Sequence, residues 1–76
     1  MKELIEHIVT VLVDYPDQMS VVTREEDDTI VVELTVAKED LGKVIGKQGR
    51  TARAMRSLLA AASGKKNLRS RLEIVE

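Results

Sequence analysis

One segment of the 76-residue sequence collects positive charge around a pair of glycines. Residues 43–56 contain no acidic residue and five basic ones: Lys43, Lys47, Arg50, Arg53 and Arg56. A solvated protein surface usually mixes both signs of charge, so a purely basic segment favours a polyanionic partner. The chemistry that this segment suits is the binding of phosphate groups, as in nucleic acids.

The glycine pair encloses a two-residue turn, Gly46-Lys47-Gln48-Gly49, between two segments of helical periodicity. Glycine permits a tight bend and has no Cβ to block the approach of a ligand. The helix after the turn starts with unpaired amides and the positive end of its dipole, which together favour an anion. The sequence therefore predicts a phosphate site at the loop amides, with Lys47 adding charge beside them. Two glycines alone are commonly an ordinary turn, so the prediction depends on the basic helix that follows.

The helix after the glycine pair is amphipathic. Its apolar stripe consists of Ala52, Met55, Leu58, Leu59 and Ala62. At about 100° per residue, Arg50, Arg53 and Arg56 lie largely on the opposite side. The arginines are therefore placed to meet phosphate while the apolar stripe packs on a core, although a merely solvated face has the same arrangement.

Hydrophobic periodicity predicts an N-terminal helix of about twelve residues, formed around Leu4, Ile5, Ile8, Val11 and Leu12. Residues 14–17 end it, because Pro16 cannot continue a helix. Met19–Thr23 is a β-prone run, Arg24–Asp28 is a charged turn, and Thr29–Val36 alternates apolar and polar residues as a half-buried strand does. These segments predict a β-hairpin closed by the charged turn.

The second half of the sequence predicts two helices and a strand. A short helix precedes the glycine pair and contains Leu41, Val44 and Ile45. Glu39 and Asp40 place negative charge at its start, where a helix favours it. The longer basic helix ends at Gly64, and residues 68–75 form a closing strand with Leu72 and Ile74 on its buried face. The order α-β-β-α-α-β predicts an α+β domain with helices packed on one face of a three-stranded sheet.

Composition narrows the classes of function. The sequence has no cysteine and one histidine, His7, which excludes disulfide frameworks, zinc fingers and thiol chemistry. No apolar run approaches a membrane span, and no basic segment marks a signal peptide, so we expect a cytoplasmic protein. The net charge of −1 hides a division, because residues 1–40 carry eleven acidic and three basic residues, whereas residues 41–76 carry nine basic and two acidic ones.

The segment Val44–Arg50 resembles the V-I-G-x-x-G signature of KH domains, whose GXXG loop clamps the backbone of about four nucleotides. The order of elements is similar to the type II KH arrangement, in which a helix and a strand precede a β-α-α-β core, here about 29–76. The resemblance covers the whole chain, 1–76, as one domain. Residues 41–52 are similar to the central motif of small bacterial proteins that consist of a single KH domain.

The resemblance implies a bacterial protein that binds single-stranded RNA, as a post-transcriptional regulator or RNA chaperone, without a cofactor or metal. It also implies a homodimer, or a heterodimer with a larger KH-containing partner of the Jag/KhpB type, and no membrane association. Carried over to this sequence, the RNA-binding positions are Lys43, Gly46, Lys47, Gln48, Gly49, Arg50 and Arg53. Val44 and Ile45 match an aliphatic pair that can line the groove for bases, but core packing is the simpler interpretation of Ile45.

The charged turn fits this interpretation poorly. In the type II arrangement Arg24–Asp28 can border the RNA groove, where four carboxylates would repel phosphate. Three explanations stay open: the turn points away, the groove is narrower here, or the turn meets a protein partner.

Rival functions also stay open. A helix-turn-helix that binds DNA could use 41–45 and 50–63, although flanking strands are not part of a minimal motif of that kind. A dimerisation or adaptor module is the other rival, because Ala60 and Ala61 lie outside the apolar stripe and small residues allow close helix approach. Catalysis is not predicted, because no nucleophile and base can be paired and Gln48 stands where a P-loop needs Ser or Thr.

Overall fold

The computed structural model describes residues 2–75, which form three α-helices and three β-strands in the predicted order α-β-β-α-α-β. The elements are α1 (Lys2–Leu12), β1 (Ser20–Glu26), β2 (Thr29–Thr35), α2 (Leu41–Ile45), α3 (Arg50–Gly64) and β3 (Arg69–Val75). Single 3₁₀ turns at Pro16–Gln18, Lys38–Asp40 and Lys47–Gly49 precede β1, α2 and α3. Within residues 2–75, no helix has the length and apolar character needed to cross a membrane.

The three strands form one mixed sheet in the order β1-β2-β3. Strand β1 runs antiparallel to β2, with Val21 opposite Leu34, and β3 runs parallel to β2, with Leu72 opposite Val32. A parallel pair needs a crossover connection, and here α2, the glycine turn and α3 supply it. The phosphate-binding candidates therefore lie within the crossover between the two parallel strands.

The hydrophobic core lies between the sheet and the helices. Its buried residues include Ile5 and Val9 of α1, Val44 of α2, Met55 and Leu59 of α3, and Val21, Val32, Leu34 and Leu72 of the sheet. Burying one such aliphatic side chain contributes about 1.5–3 kcal/mol. The predicted α+β architecture, with all helices on one face of the sheet, is confirmed.

The predicted apolar face of α1 is wrong in part. Val9 is fully buried, whereas Val11 is 74% exposed and Leu4 is 38% exposed. The apolar residues of α1 span a wider arc than the sheet and α2 can cover. The buried line runs instead through Ile5, Val9 and Val13, the last of which follows the end of the helix.

The charged segment predicted as a turn mostly belongs to strand β1. The turn itself is Asp27-Asp28, with φ of 47° and 62°, a two-residue hairpin connection that requires positive φ at both positions. Arg24 pairs with Glu33 and Glu26 and lies 3.4 Å from Glu73, across all three strands. These cross-strand pairs lie on the face of the sheet that the helices leave open, where polar side chains satisfy one another.

The end of α3 also differs from the prediction. Gly64 is still helical, and the left-handed residue is Asn67, with φ of 59°. The carbonyl of Ser63 accepts hydrogen bonds from the amides of Lys66 and Leu68, at 2.9 Å each. The chain therefore closes the helix with a left-handed asparagine, a residue that tolerates this conformation almost as glycine does.

The hairpin turn lies at the end of the domain remote from the glycine pair. The carbonyl of Asp28 accepts a hydrogen bond from the amide of Arg69 at 2.9 Å, next to the end of α3. Helix α3 has 15 residues and therefore separates its two ends by roughly 22 Å. The acidic turn is therefore separated from the glycine loop by the length of α3.

Candidate nucleic-acid interface

The loop Gly46–Gly49 has an unusual backbone, because three of its residues have positive φ: Gly46 (78°), Gln48 (58°) and Gly49 (73°). At Gly46 the need for glycine is steric as well as conformational. A Cβ there would lie 2.3 Å from the Thr51 Oγ1 atom and 2.8 Å from the Thr51 amide nitrogen. At Gly49 an added Cβ would meet nothing within 4 Å, so glycine is favoured by its φ alone.

Hydrogen bonds fix the frame of the loop and leave its tip open. The Gly46 amide donates to the Gly42 carbonyl at 2.9 Å, and the Gly49 amide donates to the Gly46 carbonyl at 3.0 Å. Within residues 2–75, the amides of Lys47 and Gln48 have no hydrogen-bond partner. Exposed amides at the start of a helical segment are suitable donors to an anion.

Arg53 holds the loop from the first turn of α3. Its Nη2 atom donates a hydrogen bond to the Gln48 carbonyl oxygen at 2.8 Å. This bond fixes the left-handed Gln48 and keeps the guanidinium charge beside the loop. Arg53 is therefore bonded to the backbone of the predicted site and helps to hold its conformation.

The positive charges around the loop differ in how they are compensated. In the described part of the chain, the side chains of Lys47, Arg50 and Arg53 are exposed and form no ion pair. Lys43, by contrast, contacts the Asp14 carboxylate, and its Nζ atom lies 3.9 Å from the buried carboxylate of Asp40. The hydrogen bond to Asp14 raises the pKa of Lys43 above its ordinary value. Lys43 would therefore have to exchange a protein carboxylate for a phosphate.

The two aliphatic residues before the loop, Val44 and Ile45, differ in burial. Val44 is fully buried, whereas Ile45 is 38% exposed, so the interpretation of Ile45 as a core residue is wrong. Helix α2 is only five residues long and turns one residue, Val44, fully into the core. An exposed apolar side chain thus stands directly beside Gly46, as a surface for a base would require.

Sequence reasoning missed two residues with specific contacts around α2 and the loop. The Thr51 side chain fills the space next to Gly46, and the Asp40 carboxylate accepts hydrogen bonds from the Asp14 and Tyr15 amides, at 3.1 and 3.0 Å. The sequence pattern predicts for Asp40 only a favourable charge at a helix start. Its contacts join residues that are 25 and 26 positions apart in the sequence, and the local pattern does not predict them.

Comparison with known proteins assigns the chain to a family. The family model described as KhpA/KhpB, KH domain, matches residues 2–74. The chain is 49% identical to the RNA-binding protein KhpA of Halalkalibacterium halodurans and 47% identical to that of Listeria monocytogenes serovar 1/2a, in each case over the full length of both chains. It is 47% identical to the RNA-binding protein KhpA of Bacillus subtilis strain 168, over all of this chain and 94% of the other. No solved structure gives a significant match.

The resemblance seen in Val44–Arg50 is thereby confirmed over almost the entire sequence. A match of this extent, together with identity near one half over complete chains, is sufficient to assign the family. The chain belongs to the KhpA/KhpB family of KH domains.

Proposed function

We propose that this chain binds single-stranded RNA and that the Gly46–Gly49 loop holds the RNA backbone. The observation that carries the proposal is the pair of unpartnered amides at Lys47 and Gln48, at the start of a basic helix. Relatives with about half of their residues in common carry the name RNA-binding protein, which supports the same class of ligand.

Each residue of the site has a distinct part in this proposal. The loop amides donate hydrogen bonds to a phosphate, and the uncompensated charges of Lys47 and Arg50 neutralise it. Gly46 and Gly49 supply the backbone conformation, and Arg53 fixes the Gln48 carbonyl. Lys43 contributes a further phosphate contact when it leaves Asp14.

The chemistry is binding rather than catalysis, and base recognition relies on aliphatic contact. Tyr15 is the only aromatic residue of the sequence, so stacking of successive bases on rings is not available. The exposed Ile45 side chain offers an apolar surface beside the loop. We therefore propose low sequence specificity, and a role in the cytoplasm as a post-transcriptional regulator or RNA chaperone, carried by one KH domain over residues 1–76.

A direct test compares a fluorescently labelled single-stranded RNA with duplex DNA by anisotropy at several salt concentrations. We expect binding of the single strand with a slope of log K against log salt of about −1.4 to −2.1, as two or three phosphate contacts at about −0.7 each would give. A preference for duplex DNA would support a helix-turn-helix instead. No affinity for either at physiological salt would support an adaptor module.

The affinity of one loop for about four nucleotides is low, so a second domain is needed for avidity. Helix α3 offers a surface for such pairing, because Leu58 is 45% exposed and Ala61, three residues later, is exposed beside it. Ala60 is also exposed, but on the other side of the helix. Small residues beside one large apolar side chain permit close helix approach. We propose that this surface forms a homodimer, or a heterodimer with a larger KH-containing protein of the Jag/KhpB type.

Replacing Leu58 by glutamate is expected to convert a dimer into a monomer, because the buried apolar anchor becomes a desolvated charge. Sedimentation velocity at micromolar concentration measures the change. Val11→Glu is the matched control, since Val11 is more exposed than Leu58 but lies on α1. A wild-type chain that sediments as a monomer would contradict the homodimer, and a monomeric Val11→Glu variant would contradict the placement on α3.

A further inference from the structure

Asp40 is the one charged side chain that residues 2–75 bury completely. Burial of a carboxylate is costly unless hydrogen bonds replace its contacts with water. Hydrogen bonds to a buried carboxylate favour one arrangement of the segments that they join.

The contacts of Asp40 join α2 to the end of α1. One carboxylate oxygen accepts a hydrogen bond from the Asp14 amide at 3.1 Å, and the other accepts one from the Tyr15 amide at 3.0 Å. Both amides lie just after α1, whose last turn is closed by a bond from the Val13 amide to the Val9 carbonyl at 3.0 Å. Asp40 itself immediately precedes α2, so its carboxylate bridges two helices that are distant in sequence.

Helix α2 depends on such an external anchor. A helix of five residues is too short to be stable or rigid by itself. Val44 in the core fixes one side of α2, and the bridge from Asp40 fixes its start. The far end of α2 is continuous with the loop, through the bond from the Gly46 amide to the Gly42 carbonyl. A rotation of α2 therefore moves the glycine loop with it.

We propose that Asp40 is a positioning residue of the RNA site. Its carboxylate fixes α2 against the end of α1 and so sets the direction of the Lys47 and Gln48 amides relative to α3. The inference rests on the proposed function, and it adds a residue remote from the loop on which RNA affinity depends.

Asp40→Asn tests the proposal, because an amide side chain has one accepting oxygen for two N–H donors. The folded variant is expected to shift the amide resonances of Lys47, Gln48 and Gly49 in the absence of RNA, as seen by ¹H–¹⁵N NMR. Its affinity for single-stranded RNA is expected to fall by about tenfold, as loss of preorganisation at one contact would give. Unchanged loop resonances, or wild-type RNA affinity, would overturn the positioning role.

Val9→Ala is the matched control, because it destabilises α1 from the core without touching the carboxylate. At a temperature where both variants are fully folded, Val9→Ala is expected to bind RNA as the wild type does. An equal loss of affinity in this control would mean that Asp40 affects RNA binding only through the overall stability of the fold, and it would overturn the proposal.

A second measurement uses the unaltered protein and does not depend on the variant folding. Coupling between sites is reciprocal, so RNA at the loop should slow hydrogen exchange of the Asp14 and Tyr15 amides. Unchanged exchange in an RNA complex would overturn the positioning role. If the wild-type chain binds no RNA, the proposed function fails, whereas the loop resonances of free Asp40→Asn still decide whether Asp40 positions the loop.

Discussion

Replacement of both Lys47 and Gln48 by aspartate is expected to reduce the affinity for single-stranded RNA by at least about 100-fold, because carboxylates would then face the phosphate. The fold should tolerate the change. Both side chains are exposed, so the free energy of unfolding should change by less than about 1 kcal/mol. Gln48 has φ of 58°, a left-handed conformation in which aspartate is among the better-tolerated residues.

Fluorescence anisotropy with one labelled RNA measures the affinity, and circular dichroism during heating measures the stability. The matched control is Lys65→Asp combined with Lys66→Asn, which changes the net charge by the same amount at the other end of α3. The control should lose only a few-fold in affinity, since its charges lie a helix length from the loop. Equal losses in the two variants would mean that RNA responds to overall charge and not to the loop.

Gly46→Ala is expected to lower the free energy of unfolding by about 2–4 kcal/mol, because alanine would be strained at this positive φ and its Cβ would overpack the site. The added Cβ would lie 2.3 Å from Thr51 Oγ1 and 2.8 Å from the Thr51 amide nitrogen, so side-chain rotation alone cannot relieve the clash. The loop must then shift away from α3, and RNA affinity should fall with it. Urea denaturation and RNA titration of the same sample measure both effects.

Alanine substitutions at Gly49 and Gly42 provide a comparison for the stability loss expected at Gly46. Gly49→Ala should cost about 1 kcal/mol, since it has φ of 73° but open space around an added Cβ. Gly42→Ala should be neutral or stabilising by about 0.5–1 kcal/mol, because Gly42 lies within α2 and meets nothing within 4 Å. A Gly46→Ala variant as stable as Gly42→Ala would show that the close contact with Thr51 has no energetic weight.

The order of elements and the position of the loop were predictable because their signals are local. Alternation through Ile30, Val32 and Leu34 identifies a half-buried strand, and Pro16 ends the first helical segment. The two glycines mark a turn between helices without reference to any distant residue. The same local pattern brings together Lys47, Gln48 and Arg50, which lie within four consecutive positions of the sequence.

The remaining features depend on which surfaces meet in three dimensions. Val11 has the periodicity of a core residue, but the sheet and α2 cover only the arc of Ile5 and Val9. Likewise, Ile45 and Val44 are equivalent in sequence, and only the packing of α2 decides which one is buried. The ion pair of Lys43 with Asp14 and the bridge from Asp40 join segments that local patterns treat separately. Long-range contacts of this kind have no signature in a single sequence.

The parallel pairing of β3 with β2 has a consequence for the order of folding. Each β2 residue pairs with one forty positions later, from Thr29 with Arg69 to Thr35 with Val75. Closing so long a segment is entropically costly, and pairing of this type is intrinsically slow. During synthesis, the central strand keeps one edge unpaired until the last residues of β3 leave the ribosome. The glycine loop lies inside the segment being closed, between the two strands that must pair.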